Sequence, residues 1–269
     1  MRKLIFSLAI LISVNACADM GWANKVKKVK VAVIDTGVDP KLLKGNSYCK
    51  SGHRDFTGQG LDDHHGHGTH ISGIIDQYAK NYIFDGKSYS KIDSIEIEYC
   101  QIIIKYWDSS TDVNTDPLMA TIKALRYAID QEVDIINYSG GGNEESKEEK
   151  ELIKEALDKG IKVVAAAGNG ARDKNGSFKG YDISKKPYYP AAHDPRIYVV
   201  GNITKTNTIV ESSNRGNNVK YWEVGDRVLS RLPGSSYGYM TGTSQATAVK
   251  TGKLVRETLI NKGSQVLPR

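Results

Sequence analysis

The 269-residue sequence has no internal repeat and no low-complexity tract, and its composition, 39% hydrophobic and 25% charged with 15 tyrosines, excludes disordered, collagen-like and coiled-coil chains. It also has little excess charge. Its 37 Lys+Arg stand against 31 Asp+Glu, a net of +6, and no basic run is long enough to track a phosphate backbone, which excludes a nucleic-acid partner. No apolar run reaches the length of a membrane span; the N-terminal stretch Leu4 to Val14 stops at 11 residues. What remains is a chain that buries a core easily and folds as one compact domain.

The short apolar stretch follows Met1-Arg2-Lys3 and reads as the hydrophobic region of a signal peptide, so the protein is expected to be exported. Two cleavage readings compete. Val14-Asn15-Ala16-Cys17 resembles a bacterial lipobox, in which Cys17 is lipidated and anchors the mature chain to a membrane; Ala16-Cys17-Ala18 also fits ordinary A-x-A cleavage, which releases the chain and discards Cys17. The lipobox is the preferred reading, and Ala18 rather than an acid after Cys17 favours an outer membrane. The expected division is a signal peptide over 1–16, a linker over 17–28 and a single domain over 29–269. Only three cysteines are present, and the other two, Cys49 and Cys100, are either a disulfide, which an oxidising compartment preserves, or two buried thiols.

Past Val29 the pattern alternates strand and helix. Val31 to Ile34 is a continuous apolar run ending in Asp35-Thr36-Gly37, as in a parallel strand covered on both faces. Further strands are predicted over Ile95–Ile104, Asp134–Tyr138, Lys162–Ala166 and Arg196–Gly201, with a hairpin-rich stretch to Met240. Helices are predicted from Asp116-Pro117 to about Asp130, over Glu144–Lys159 with an apolar stripe of Leu152, Ile153, Ala156 and Leu157, and from about Gly242 to Asn261. This is the pattern of βαβ units on a parallel sheet, where working residues collect beyond the carboxyl ends of the strands. Asp35, Ser139 and Asn169 each follow such an end.

Four segments could carry chemistry. Asp35 either caps its own turn at Gly37 or orients and charges against an imidazole. Asp62-Asp63-His64-His65-Gly66-His67-Gly68-Thr69-His70 holds four of the six histidines. That invites a zinc reading, with His67 and His70 three apart on a predicted helix. The glycines at 66 and 68 instead suggest close backbone approach around His67, with His70 a hydrogen-bonded core residue, and no metal or cofactor is expected. Ala165-Ala166-Ala167-Gly168-Asn169-Gly170 is either a plain Asn-Gly turn or a small-residue cleft wall whose Asn169 amide faces an oxyanion. Thr241-Gly242-Thr243-Ser244-Gln245-Ala246 opens a helix, with Ser244 either a helix-start residue or a nucleophile.

Taken together, these segments resemble the subtilisin-like serine proteases, the subtilases, whose triad runs Asp, His, Ser along the chain. Val31–Asp39, Asp55–His70, Ala165–Gly170, Ser213-Asn214-Arg215-Gly216 and Tyr239–Ala246 carry the resemblance, which covers about Val29 to Leu254. It implies an α/β fold, a three-layer αβα sandwich around a mainly parallel sheet. It implies an exported serine endopeptidase acting on extended polypeptides, with Ser244 attacking, His67 as base, Asp35 holding the imidazole and Asn169 binding the oxyanion. Ser139, Gly140 and Gly141 would line the substrate strand, and Ala166, Ala167 and Gly168 the opposite pocket wall. Tyr188 would sit at the pocket floor and favour small side chains if it points inward, and Tyr189-Pro190 matches a dipeptide whose bond is often cis. The stretches around Cys49 and Cys100 resemble two neighbouring strands, which favours a bridge.

The sequence departs from that family in several places. The 17 residues between Cys17 and Asp35 are not expected to hold a pro-domain, and with 25 residues after Ser244 the family's last helices are not expected. Gln245-Ala246-Thr247-Ala248 replaces the usual residues after the serine, and Asp76–Asp93 has no match to the family's calcium loop. Glu144 and Glu145 could place negative charge near the cleft, but the simpler expectation is a solvated helix start. The competing function is a catalytically silent subtilase-fold lipoprotein that binds peptides as a scaffold; a histidine-cluster metal protein is the third.

Overall fold

The computed structural model describes residues 28–80, 82–84, 87–89, 99–109 and 116–264, with side chains in the last helix as far as 259. The predicted signal peptide, Cys17 and nearly all of the predicted linker lie outside the described residues, as does the 95–98 portion of the strand predicted over Ile95–Ile104.

Seven parallel strands form the central sheet: β1 Val29–Asp35, β2 Arg54–Asp55, β3 Tyr99–Lys105, β4 Ile135–Tyr138, β5 Lys162–Ala166, β6 Tyr198–Ile203 and β7 Tyr221–Val224. Their spatial order is β7-β6-β5-β4-β1-β3-β2, so the winding direction reverses around β1. At such a reversal the loops leaving adjacent strands diverge and open a crevice. An antiparallel hairpin follows, β8 Val228–Leu232 with β9 Ser236–Met240.

Helices cover both faces. α1 His67–Lys80 and α4 Thr243–Ser264 pack on one, α2 Pro117–Asp130 and α3 Lys147–Asp158 on the other. β1 serves both layers by alternation: Val29, Val31 and Val33 face Ile71, Ile74 and Ile75 of α1, whereas Ala32 and Ile34 face Leu125 and Ile129 of α2. Each such fully buried branched side chain contributes roughly 1.5–3 kcal/mol of transfer free energy. α1 and α4 approach closely because Gly252 has no side chain; a Cβ there would lie 2.6 Å from Cβ of Tyr78. This is the three-layer α/β architecture expected, with a sheet that is parallel throughout.

Several boundaries move, each for a local reason. α2 starts where predicted, Asp116 accepting the Leu118 N–H at 2.9 Å with Pro117 in the first turn. α3 begins at Lys147 rather than Glu144, because Ser146 caps it by accepting the Glu149 N–H at 3.2 Å. Glu144 and Glu145 therefore precede the helix and are not its solvated first turn. β6 starts two residues late, after a turn in which Ile197 N–H reaches the Asp194 carbonyl. Cys49 and Cys100 are disulfide-bonded. Cys49 lies just before β2 rather than within a strand, held by its N–H on the Gln101 carbonyl at 3.0 Å.

Candidate active site

Asp35 is the last residue of β1 and is buried. Its Oδ1 accepts the Thr36 N–H at 2.8 Å and Nδ1–H of His67 at 2.7 Å. The local cap thus goes to Thr36 and not to Gly37. A carboxylate on Nδ1 fixes the tautomer, leaving Nε2 with the lone pair of a base. Burial alone would pull the His67 pKa down; the charge and hydrogen bond of Asp35, with Asp63 adding, raise it above the ordinary histidine value.

The loop that presents His67 is organised by a residue whose role the sequence did not reveal. Buried Asp63 accepts from Thr36 Oγ1 and Gly66 N–H, both at 2.7 Å, and from the Thr69 N–H at 2.7 Å and hydroxyl at 2.6 Å. Thr36 Oγ1 in turn accepts the Gly68 N–H at 2.8 Å. Gly66 has φ +88°, and a Cβ on Gly68 would sit 2.2 Å from the Gly37 carbonyl oxygen, so neither position tolerates a side chain. Lys105, fully buried at the end of β3, forms an ion pair with Asp108 and donates to the Asp62 carbonyl at 2.6 Å.

The four clustered histidines separate. His64 Nδ1 meets Asp108 at 3.0 Å, and the His65 ring stands edge-on to Trp107. His70 Nε2 lies 3.1 Å from both the Val228 and Gly238 carbonyls. Burial lowers the His70 pKa. The zinc reading loses its shared focus, and among the described residues no group of three or more His, Cys, Asp or Glu could hold a metal.

Ser244 lies in the first turn of α4, and its Oγ donates to the Ser139 carbonyl at 2.9 Å; Ser139 Oγ donates back to the Ser244 carbonyl at 3.4 Å. The acid and imidazole are in contact, while the serine hydroxyl is turned toward the segment that leaves β4 at Ser139. Asn169 reaches the same helix start. Its Oδ1 accepts the Thr243 N–H at 2.8 Å and the Thr243 hydroxyl at 3.1 Å, which fixes the amide and directs Nδ2 as its donor end.

Ala166, Ala167 and Gly168 leave β5 as a buried wall, with Gly141 opposite; a Cβ on Gly140 would instead meet Tyr106 and Tyr138. The Tyr188 ring stands between the two walls: Cε1 would be 2.7 Å from a Cβ on Gly141 and 2.9 Å from one on Gly168. Burial pushes its hydroxyl up to about 12. Asn214, from the Ser213–Gly216 segment, ties this wall by donating Nδ2–H to the Ala167 carbonyl at 2.8 Å. The Tyr189–Pro190 bond is cis. Beyond it, His193 Nε2 lies 2.7 Å from Oε2 of Glu149 in a pair that the sequence did not suggest. The available signal was positional, since Glu149 falls on the same helical face as Leu152, Ile153 and Ala156.

A sequence model of the Subtilase family matches residues 26–257. The major intracellular serine protease of Bacillus subtilis (strain 168) is 32% identical over 240 residues, 87% of this chain and 70% of that protein. The minor extracellular protease Epr of the same organism is 30% identical over 223 residues, 82% of this chain and 30% of that protein. The chain thus spans only part of the curated relatives it matches. Among solved structures, a cold adapted subtilisin-like serine proteinase shares the fold with a TM-score of 0.66 at 24% identity, covering 87% of this chain and 77% of that one.

Proposed function

The chain belongs to the subtilase family, a family of serine endopeptidases, and on that premise we propose that it hydrolyses peptide bonds through Asp35, His67 and Ser244. An extended peptide pairs with the backbone of Ser139, Gly140 and Gly141 and places its scissile carbonyl against Ser244. The Ser244 hydroxyl swings from the Ser139 carbonyl to Nε2 of His67, which removes its proton as Oγ attacks. Asp35 stabilises the imidazolium that forms. Asn169 Nδ2 and the Ser244 N–H hold the developing oxyanion. His67 then gives its proton to the leaving amine, and water repeats the sequence on the acyl-enzyme. No step calls for a metal or cofactor.

The observation that carries this reading is the 2.7 Å contact from His67 Nδ1 to Asp35, with the helix start bearing Ser244 and the anchored Asn169 amide at the same end of the sheet. Tyr188 between the pocket walls supports a preference for small side chains at the cleaved residue. The Cys49–Cys100 bridge suits an oxidising compartment and so supports export, with Cys17 as the lipidated anchor. The scaffold alternative has one observation in its favour, the Ser244 hydroxyl held by Ser139.

A fluorophosphonate probe separates the two. Labelling that vanishes in Ser244→Ala establishes the nucleophile, and a folded wild type that never labels is the scaffold. Fatty-acid labelling lost in Cys17→Ala tests the anchor.

A further inference from the structure

We propose that a cavity beside Gly141 and Gly142 binds a cationic side chain, lysine or arginine, of the peptide substrate, at a residue other than the one whose carbonyl is attacked. The inference rests on the peptidase reading and names what that site prefers. The cavity holds about 560 Å³ and is walled by Tyr106, Trp107, Tyr138 and Tyr189, with Glu144 and Glu149 also in its lining. Ala166, Gly168, Asn169, Tyr188 and Ser244 do not line it, so it is separate from the pocket beside the nucleophile. A peptide lying along Ser139 to Gly141 passes it, because Gly141 and Gly142 are part of its wall.

The chemistry of the wall selects the occupant. Glu149 is 3% exposed and sits in the first turn of α3, where the helix dipole favours a negative charge. Its Oε2 contacts His193 Nε2. Among the described residues His193 Nδ1 is buried with no hydrogen-bond partner, so Glu149 is the contact that holds this ring. The hydroxyls of Tyr106, Tyr138 and Tyr188 are all raised, chiefly by burial, with Glu149 contributing to each.

An apolar occupant would offer this buried carboxylate no counter-charge. A lysine or arginine offers a counter-charge to the carboxylate, and its stem and head pack on aromatic faces that attract cations. Exposed Glu144 adds the same sign at the rim.

The test is a set of fluorogenic peptides in which one lysine is walked through every position except that of the cleaved carbonyl, each matched to a norleucine peptide. In the wild type, one position is expected at which lysine exceeds norleucine at least tenfold in kcat/KM, with arginine ranking beside lysine and acetyl-lysine beside norleucine. Glu149→Gln should cut that ratio at least fivefold. Glu144→Gln should cut it about twofold, and it carries the same readout if the buried substitution does not fold. A flat lysine scan, or a ratio unchanged in every folded variant, overturns the proposal. Fluorophosphonate labelling of the same preparations keeps the outcomes apart: a labelled enzyme with a flat scan loses only this inference, whereas an unlabelled one loses the peptidase reading itself.

Discussion

Two acid–imidazole contacts of equal length, 2.7 Å, stand in unlike surroundings. The His67 side chain is 22% exposed and meets Asp35 through Nδ1, so its second nitrogen faces the crevice. The His193 side chain is 0% exposed, meets Glu149 through Nε2, and keeps its second nitrogen buried. The same hydrogen bond therefore serves different ends, and the deciding variable is where the other ring nitrogen points. In the open pair the carboxylate, on the proposed mechanism, prepares a base. In the closed pair the imidazole satisfies a carboxylate that the helix has carried inward.

The sharpest way to break this contrast is to delete each ring. His67→Ala should lower kcat/KM on the order of 10⁶-fold with little change in Tm, the size of loss expected for the base of such a triad. Asp35→Asn should cost about 10⁴-fold in kcat and also move the pH profile. Only neutral His67 accepts a proton, so activity is lost as pH falls through its pKa. With that pKa raised mainly by Asp35 against burial, the acid limb of the wild-type kcat/KM profile lies above about 6.5, and in the variant it moves down. A limb that stays put would detach His67 from Asp35. Asn169→Ala should reduce kcat by about 10²–10³-fold and leave KM nearly unchanged. His193→Phe reverses the pattern by stranding Glu149: about 3 kcal/mol of stability should go, read as a Tm lower by roughly 6–12 °C. If Tm holds and only catalysis falls, the two pairs are not the opposites described. Smallest is Tyr188→Ala, expected to improve cleavage after large side chains about tenfold in kcat/KM.

The outline of both the fold and the site was readable because parallel strands announce themselves. Val31–Ile34 and Val163–Ala166 are unbroken apolar runs, and a polar residue just beyond such a run must stand at the sheet edge where Asp35 and Asn169 are found. Helix starts were readable only as far as their caps were recognised, which is why Ser146 rather than Glu144 sets the beginning of α3. Buried charge was the largest blind spot. Asp63, Lys105 and Glu149 look like surface residues, and their burial depends on partners brought in by folding: Asp63 on Thr36, 27 residues earlier, and Glu149 on His193, 44 residues later. The orientation of the Ser244 hydroxyl is a rotamer, and residue patterns do not encode a choice among staggered positions.

The Cys49–Cys100 link closes a ring spanning 51 positions, and Asp63, His67 and the whole of α1 ride inside it. By chain entropy alone such a closure is worth about 4 kcal/mol. Its sharper value is against self-digestion: one cut anywhere within the ring severs no piece from the body. A nicked molecule would run as a single band until reductant splits it in two, and the histidine would stay on the particle throughout.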